Sequence, residues 1–376
     1  MNPDIIKYKT GEKILLKGNE AFAEGTVRAG CRFFAGYPIT PQNEIPEYLS
    51  WRLFEVGGTF IQAESEVSAI NMIYGAASCG ARALTSSSGP GISLKQEGIS
   101  YIASAELPFV YANVMRGGPG LGNIAPCQSD YFQATRGGGH GDYRIIVLAP
   151  DSAYEMGNFP KLAYDTAEKY RNPCMILADG LIGQMMEPLE FNFDFVNVDK
   201  LPVKDYVVGN CKGRDIRIIN TLHMSTDILE KHNWDLYRKY EKIKSEFTLF
   251  EEKYTDDADI IIVAYGTAAR ISMAAIMKGR EQGIKIGLLR PITLWPFPEK
   301  IISQLAQKVG KVLAVEMNTG QLVEDVQMAV NGKAEVYFYG RPGGNIPTGE
   351  EILGVAKEAL KTKNVEPGKI NVLNKL

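Results

Sequence analysis

Between Gly18 and about Gly183, short apolar runs alternate with helix-like stretches and glycine-rich turns. That alternation restricts the chain to few architectures besides helices layered on a largely parallel sheet, an α/β fold. "CRFFAGYPIT" reads as a strand running into a loop. "EVSAINMIYGAASCGA" sets Val67, Ile70, Met72, Ile73 and Ala77 on overlapping helical faces, which predicts a helix beginning at or near Glu66. "RALTSSSGPGISLK" predicts a strand, a tight turn over Ser88-Gly89-Pro90-Gly91 and the start of a further helix. "PFVYANVMRGGPGLGN" predicts a buried strand that ends at Arg116 and opens into a glycine loop, while "DYRIIVLAP" and "PCMILAD" supply two more short strands. Several loops then gather at strand C-terminal ends, where open α/β sheets bind ligands.

From about Gln184 to Asp257 glycines thin out and charge rises. Within this stretch Leu229, Leu236, Tyr240, Ile243, Phe247 and Phe250 recur at roughly helical spacing after Asp227, a capping candidate. The pattern predicts an amphipathic connector helix, packed on its own chain or on a partner. A second α/β unit follows, with strands in "DIIIVAYGTAAR", "KIGLLRPITLWPFP" and "KVLAVEMNTGQL". A chain of 376 residues exceeds what one core usually organises. The expected division is 1–190, a connector over 191–256, and 257–376.

Several function classes are excluded by composition. A net charge of -3 and a pI near 5.8 give no electrostatic reason to bind nucleic acid or an acidic membrane. Cys31, Cys79, Cys127, Cys174 and Cys211 lie tens of residues apart without a C-x-x-C pair. A disulfide framework is not expected, and any iron–sulfur cluster belongs on another chain. No apolar run approaches the roughly 20 residues that span a bilayer, and the expectation is a soluble, cytoplasmic protein.

The motifs narrow the chemistry further. "RGGPGLGN" lacks the G-x-G-x-x-G spacing, and no G-x-x-x-x-G-K-[ST] occurs, so nicotinamide and ATP sites are disfavoured and the glycines read as positive-φ turn residues. Ser86 to Ser88 do not form G-x-S-x-G, which disfavours a hydrolase. Glu64 and Glu66 share a face only if the segment is extended, so one of them is expected to point into a site. A carboxyl beside an apolar helix start suits proton exchange with a nitrogen heterocycle; the plain alternative is an acid favoured by the helix dipole. Arg116, ending a strand, offers a fork for a carboxylate or else a structural salt bridge. His140, in "GGGHGDY", has no neighbouring nucleophile or second ligand and reads as structural.

"GYPITP", "ESEVSAINM", "TSSSGPG" and "NVMRGGPG", in this order and spacing, resemble the thiamine-pyrimidine domain of 2-oxoacid:ferredoxin oxidoreductases. "AYGTAAR", "RPITLWPFP" and "EMNTGQL" resemble that family's transketolase-C-terminal-like domain. The resemblance implies two doubly wound domains and a thiamine diphosphate shared with a partner subunit. It implies that Glu66 is the catalytic glutamate at N1′ of the aminopyrimidine, with Glu64 the lesser candidate, and that Pro38, Ile39 and Gly89 join it in holding the cofactor. Thr40 and Arg116 match the substrate-holding positions. The family's G-D-G motif with asparagines is missing, since "ADGLIG" lacks its first glycine. No metal ligand is therefore expected on this chain. Mg2+ and iron–sulfur clusters fall to a pyrophosphate-domain subunit, a gamma subunit and a ferredoxin-like subunit. Coenzyme A is the implied co-substrate and ferredoxin the acceptor. The longer stretches "GGPGLGNIAPCQSDYFQATRGGGHGDYRIIVLAPDS" and "KYRNPCMILADGLIGQMMEP" look most like 2-oxoisovalerate members. The 2-oxoglutarate subunits are the runner-up, and a thiamine-dependent synthase or decarboxylase is a further alternative.

Overall fold

The computed structural model describes residues 6–209, 211–362 and 368–373. The chain separates into two compact units that do not follow the expected cuts. One takes the chain through Val114 with Gln133–Ala178 and Ile182–Glu246; the other takes Met115–Phe132, Asp179–Leu181 and the chain from Phe247 onward. The stretch expected as a separate connector is divided, with residues up to Glu246 in the first unit.

In the first unit the strands lie in the order Ile146–Leu148, Cys174–Asp179, Val110–Met115, Ala83–Ser87, Phe33–Gly36, Thr59–Gln62. Phe33–Gly36 runs parallel to both Thr59–Gln62 and Ala83–Ser87, and Ala83–Ser87 runs parallel to Val110–Met115. The inner strands Ala83–Ser87 and Val110–Met115 are buried along their whole length, as parallel strands covered on both faces must be. Thr59–Gln62 escapes a periodicity reading because it is a short edge strand with exposed ends. From Phe33–Gly36 the chain steps outward to Thr59–Gln62, then returns to the opposite side for Ala83–Ser87 and beyond. The strand order thus reverses between Phe33–Gly36 and Ala83–Ser87, and the crevice at their C-terminal ends is where such sheets bind ligands.

Two helices of this unit are tied by a buried ion pair. Arg52 Nε, in helix Glu44–Glu55, reaches Glu24 Oε2, in helix Gly18–Arg28, at 2.8 Å, with Tyr48 donating to the same oxygen at 3.1 Å. The amphipathic helix spans Thr226–Glu246 and buries Leu236, Tyr240 and Ile243. Asp227 lies in its first turn instead of capping it, Leu229 stays exposed, and Phe250 belongs to strand Phe250–Lys253. Lys239 explains how so charged a helix seats, since its Nζ donates to Glu106 Oε2 at 3.2 Å and to Arg171 O at 3.1 Å.

The second unit orders its strands Ile370–Val372, Glu335–Gly340, Lys311–Glu316, Ile260–Val263, Ile286–Pro291, Phe250–Lys253, the last antiparallel and the others parallel. Ile260, Ile262, Leu288, Leu313 and Tyr337 pack against Ala268, Ile276, Ile352 and Ala356 from the covering helices. Here the order reverses between Ile260–Val263 and Lys311–Glu316. Among the described residues no helix is long and apolar enough to cross a membrane.

Candidate functional site

The loop Tyr37–Asn43 leaves the first strand of the reversal, and Ser88 leaves the second. Gln42, fully buried, links them: Ser86 Oγ donates to Gln42 Oε1 at 2.5 Å, and Gln42 Nε2 reaches Tyr37 O at 3.4 Å. Pro41, which follows a cis peptide bond, is clamped through its carbonyl by Asn19 Nδ2 at 2.8 Å and Gln184 Nε2 at 2.9 Å. Both amides also donate to Glu44. Burial works against charge on Glu44, but hydrogen bonds from Asn19, its own backbone, Lys17 and Gln184 outweigh it and hold the carboxyl below the usual range. With its neighbours so held, Thr40 is left half-exposed, its Oγ1 accepting from Asn43 Nδ2 at 3.2 Å; Pro38 is exposed and Ile39 half-buried.

Glu66 is the first residue of helix Glu66–Ser78, whose cap Ser65 accepts from Ser68 N. Its side chain is buried, whereas Glu64 is exposed and bonds Ser68 Oγ. Helix Gly89–Ser104 starts opposite, with Gly89 at φ +30° and Ser88 extended before it. A Cβ on Gly91 would lie 2.5 Å from Glu66 Oε1 and 2.1 Å from Ser87 Oγ. No side chain fits there, so the carboxyl comes right up to the helix backbone. Ser87 Oγ and Ser88 Oγ are buried without hydrogen-bond partners, and Lys95 Nζ, one turn beyond Gly91, is likewise unpartnered. A buried carboxyl against bare helix backbone and orphaned hydroxyls is the donor and acceptor set that a polar heterocycle such as an aminopyrimidine would satisfy.

Arg116 follows strand Val110–Met115 and groups with the second unit, whereas Thr40 and Glu66 group with the first. Its guanidinium is largely buried and donates to Leu121 O at 2.9 Å, fastening the glycine loop onto itself. Gly122 completes that loop at φ +58°, where a Cβ would overlap Gly117 O. The segment behind it fills the second sheet's reversal point. Gln128, fully buried, donates to Tyr265 O at 2.9 Å and accepts from Met317 N at 3.1 Å, while Asn318 Nδ2 donates to Gln128 O at 2.8 Å. Asp179 of "ADGLIG" accepts from Thr267 Oγ1 at 2.7 Å and from Leu181 N at 3.0 Å, so its carboxylate pins the start of helix Gly266–Glu281. Among the described residues no group of His, Cys, Asp or Glu is arranged to hold a metal, and His140 is exposed.

Residues 24–243 match the family model described as "Pyruvate flavodoxin/ferredoxin oxidoreductase, thiamine diP-bdg". The chain belongs to this oxidoreductase family. Residues 258–352 match "Pyruvate:ferredoxin oxidoreductase core domain II". This oxidoreductase chain is 46% identical over 350 residues to the ketoisovalerate oxidoreductase subunit VorB of Methanothermobacter marburgensis, covering 93% of this chain and 99% of that one. It is 37% identical over 370 residues to the 2-oxoglutarate synthase subunit KorA of Methanothermobacter thermautotrophicus, covering 92% and 98%. Its fold matches the solved 2-oxoglutarate:ferredoxin oxidoreductase from Magnetococcus marinus at a TM-score of 0.83 and 26% identity, over 93% of this chain and 65% of that one.

Within this oxidoreductase fold, Glu66 and Gly89 each begin a helix, Gly91 of the second helix lies against Glu66, and Thr40 sits on the loop that leaves strand Phe33–Gly36. The burial of Gln42 and Lys95 and the contact of Gly91 with Glu66 were not legible in the sequence. The one available signal was the spacing of Gly91, Lys95 and Gly98 in "GPGISLKQEG", which puts a lysine on a stripe of glycines.

Proposed function

We propose that this chain is the subunit of a CoA-acylating 2-oxoacid:ferredoxin oxidoreductase that contributes the proton-handling glutamate and the substrate-facing turn, and that its substrate is 2-oxoisovalerate. The observation that carries the substrate choice is the 46% identity to a ketoisovalerate oxidoreductase subunit against 37% to a 2-oxoglutarate synthase subunit, at nearly equal coverage. When bound, thiamine diphosphate supplies the carbanion-stabilising chemistry of decarboxylation.

Glu66 holds a proton at N1′ of the aminopyrimidine, from a buried position against the bare Gly91 backbone. Ser87 and Ser88 offer the hydroxyls that the ring's polar edge would satisfy. Pro38, Ile39 and Gly89 shape the cofactor's surroundings. Thr40 offers its hydroxyl to the 2-oxoacid, and Arg116 its guanidinium to the substrate carboxylate. Partner subunits bring the diphosphate and Mg2+ site and the iron–sulfur clusters that pass electrons to ferredoxin, and coenzyme A takes the acyl group.

The test is 2-oxoacid-dependent reduction of a low-potential viologen by the chain assembled with its partner subunits. 2-Oxoisovalerate is expected to outperform 2-oxoglutarate in kcat/KM by about tenfold or more, the scale at which small side-chain differences are discriminated. Glu66→Gln is expected to assemble normally and lose turnover by about 10²-fold or more. Preference for 2-oxoglutarate would transfer the assignment to that acid. An active Glu66→Gln complex would remove the proton-handling role.

A further inference from the structure

Helices Glu66–Ser78 and Gly89–Ser104 pack through a stripe of the second helix that has little side chain. At Gly91 the added Cβ would meet Glu66, and at Gly98 it would lie 2.6 Å from Ile70. Lys95 stands between these contacts, four residues from one and three from the other, so it falls on the same stripe. It is fully buried, and its Nζ has no hydrogen-bond partner. A lysine is rarely kept in such a place without a charge to answer it.

The charges on these two helices single out one answer. Glu64 and Glu97 are exposed and engaged by Ser68 Oγ and Tyr101 OH. Tyr74 and Tyr101 are held above the ordinary phenol value, the first by burial and the second by its hydrogen bond to Glu97, and they stay neutral near pH 8. Ser86 and Ser87, on the strand before the helix, carry no charge. Burial pushes the Lys95 ammonium down to about 8, and the Glu66 charge is what resists that fall.

We propose that Lys95 is a positioning residue for Glu66, its buried ammonium serving as the counter-charge that holds the Glu66 carboxyl in place toward the cofactor. Lys95 acts through Glu66 and touches neither substrate nor reacting atoms. The proposal rests on the reading of Glu66 as the proton-handling acid, and its first test does not depend on that reading.

That test uses the assembled complex without thiamine diphosphate and follows the thermal midpoint from pH 6.5 to 10.5 for wild type, Lys95→Met, Glu66→Gln and the double variant. The folded value of Lys95 lies below its unfolded one, so across the window from about 8 to 10.5 the unfolded chain holds more protons and stability rises with pH. The wild-type midpoint is therefore expected to gain on Lys95→Met as pH climbs through that window. In the Glu66→Gln background the gain is expected to begin at lower pH, because the charge that supports the ammonium is gone. The same onset in both backgrounds would overturn the proposal.

The second arm is the pH profile of kcat/KM with thiamine diphosphate bound. Lys95→Met is expected to change the acid limb of that profile, because the positive charge beside Glu66 is removed. Lys95→Arg is expected to restore the wild-type limb. A uniform loss at every pH that Lys95→Arg does not repair would make Lys95 merely structural. If Glu66→Gln keeps its turnover, the proton-handling reading falls while the stability coupling is still measured on its own.

Discussion

Gly91 matters for what it lacks. Any Cβ there would come within 3 Å of both the Glu66 carboxyl and Ser87 Oγ, so Gly91→Ala should crowd the acid away from its post at a cost of about 1–3 kcal/mol. The expected outcome is at least a tenfold weaker thiamine diphosphate affinity, measured by titrating cofactor into the stripped complex. Gly75→Ala is the control: it sits in the neighbouring helix with nothing within 4 Å of the added carbon, and should leave affinity unchanged while stabilising by about 0.4–1 kcal/mol. Equal losses in the two variants would sink the steric argument. The helix start at Glu66 was legible in the apolar spacing behind it, whereas the choice of Glu66 over Glu64 came from the family resemblance. Lys95 was not legible, because a lysine in a helix is ordinarily read as solvated and only the packing of two helices reveals that its face is covered.

At the scale of elements, the segment Met115–Phe132 shows why a contiguous domain cut misleads. It leaves a strand that the first unit's sheet uses and then inserts into the reversal point of the second sheet, where Gln128 satisfies Tyr265 O and Met317 N. Gln128→Ala strands the Met317 N–H in a buried setting, at about 1–3 kcal/mol, while Tyr265 O keeps its bond from Ala269 N. A lower melting temperature by calorimetry is expected, together with a raised KM for the 2-oxoacid because the Arg116 loop loses its anchor. A raised KM with unchanged melting would contradict this, since the loop can loosen only if its anchor does. Glycine turns and apolar runs announced most of these strands. Their order in the sheet, which makes one crevice open and fills another with the chain's own glutamine, leaves no periodic trace in the sequence.

At the scale of the whole molecule, the chain carries five cysteines, none disulfide-bonded, with Cys31, Cys127 and Cys174 buried. Purified by itself after anaerobic expression, it is expected to show no visible absorption from iron–sulfur clusters and no viologen reduction, both of which should appear on addition of the partner subunits. Cluster absorption from the isolated chain would relocate the electron path onto this subunit. What the sequence by itself determined is the α/β class, the run of motifs that carries the family resemblance, and the glutamate at a helix start, because periodicity, turn chemistry and helix capping act over a few neighbouring residues. Only the tertiary structure decided the bare backbone at Gly91 against Glu66, the burial of Lys95 and the amide clamp of Gln128. Each depends on atoms separated by tens to hundreds of residues, and their approach is set by how helices and strands pack, not by any local preference.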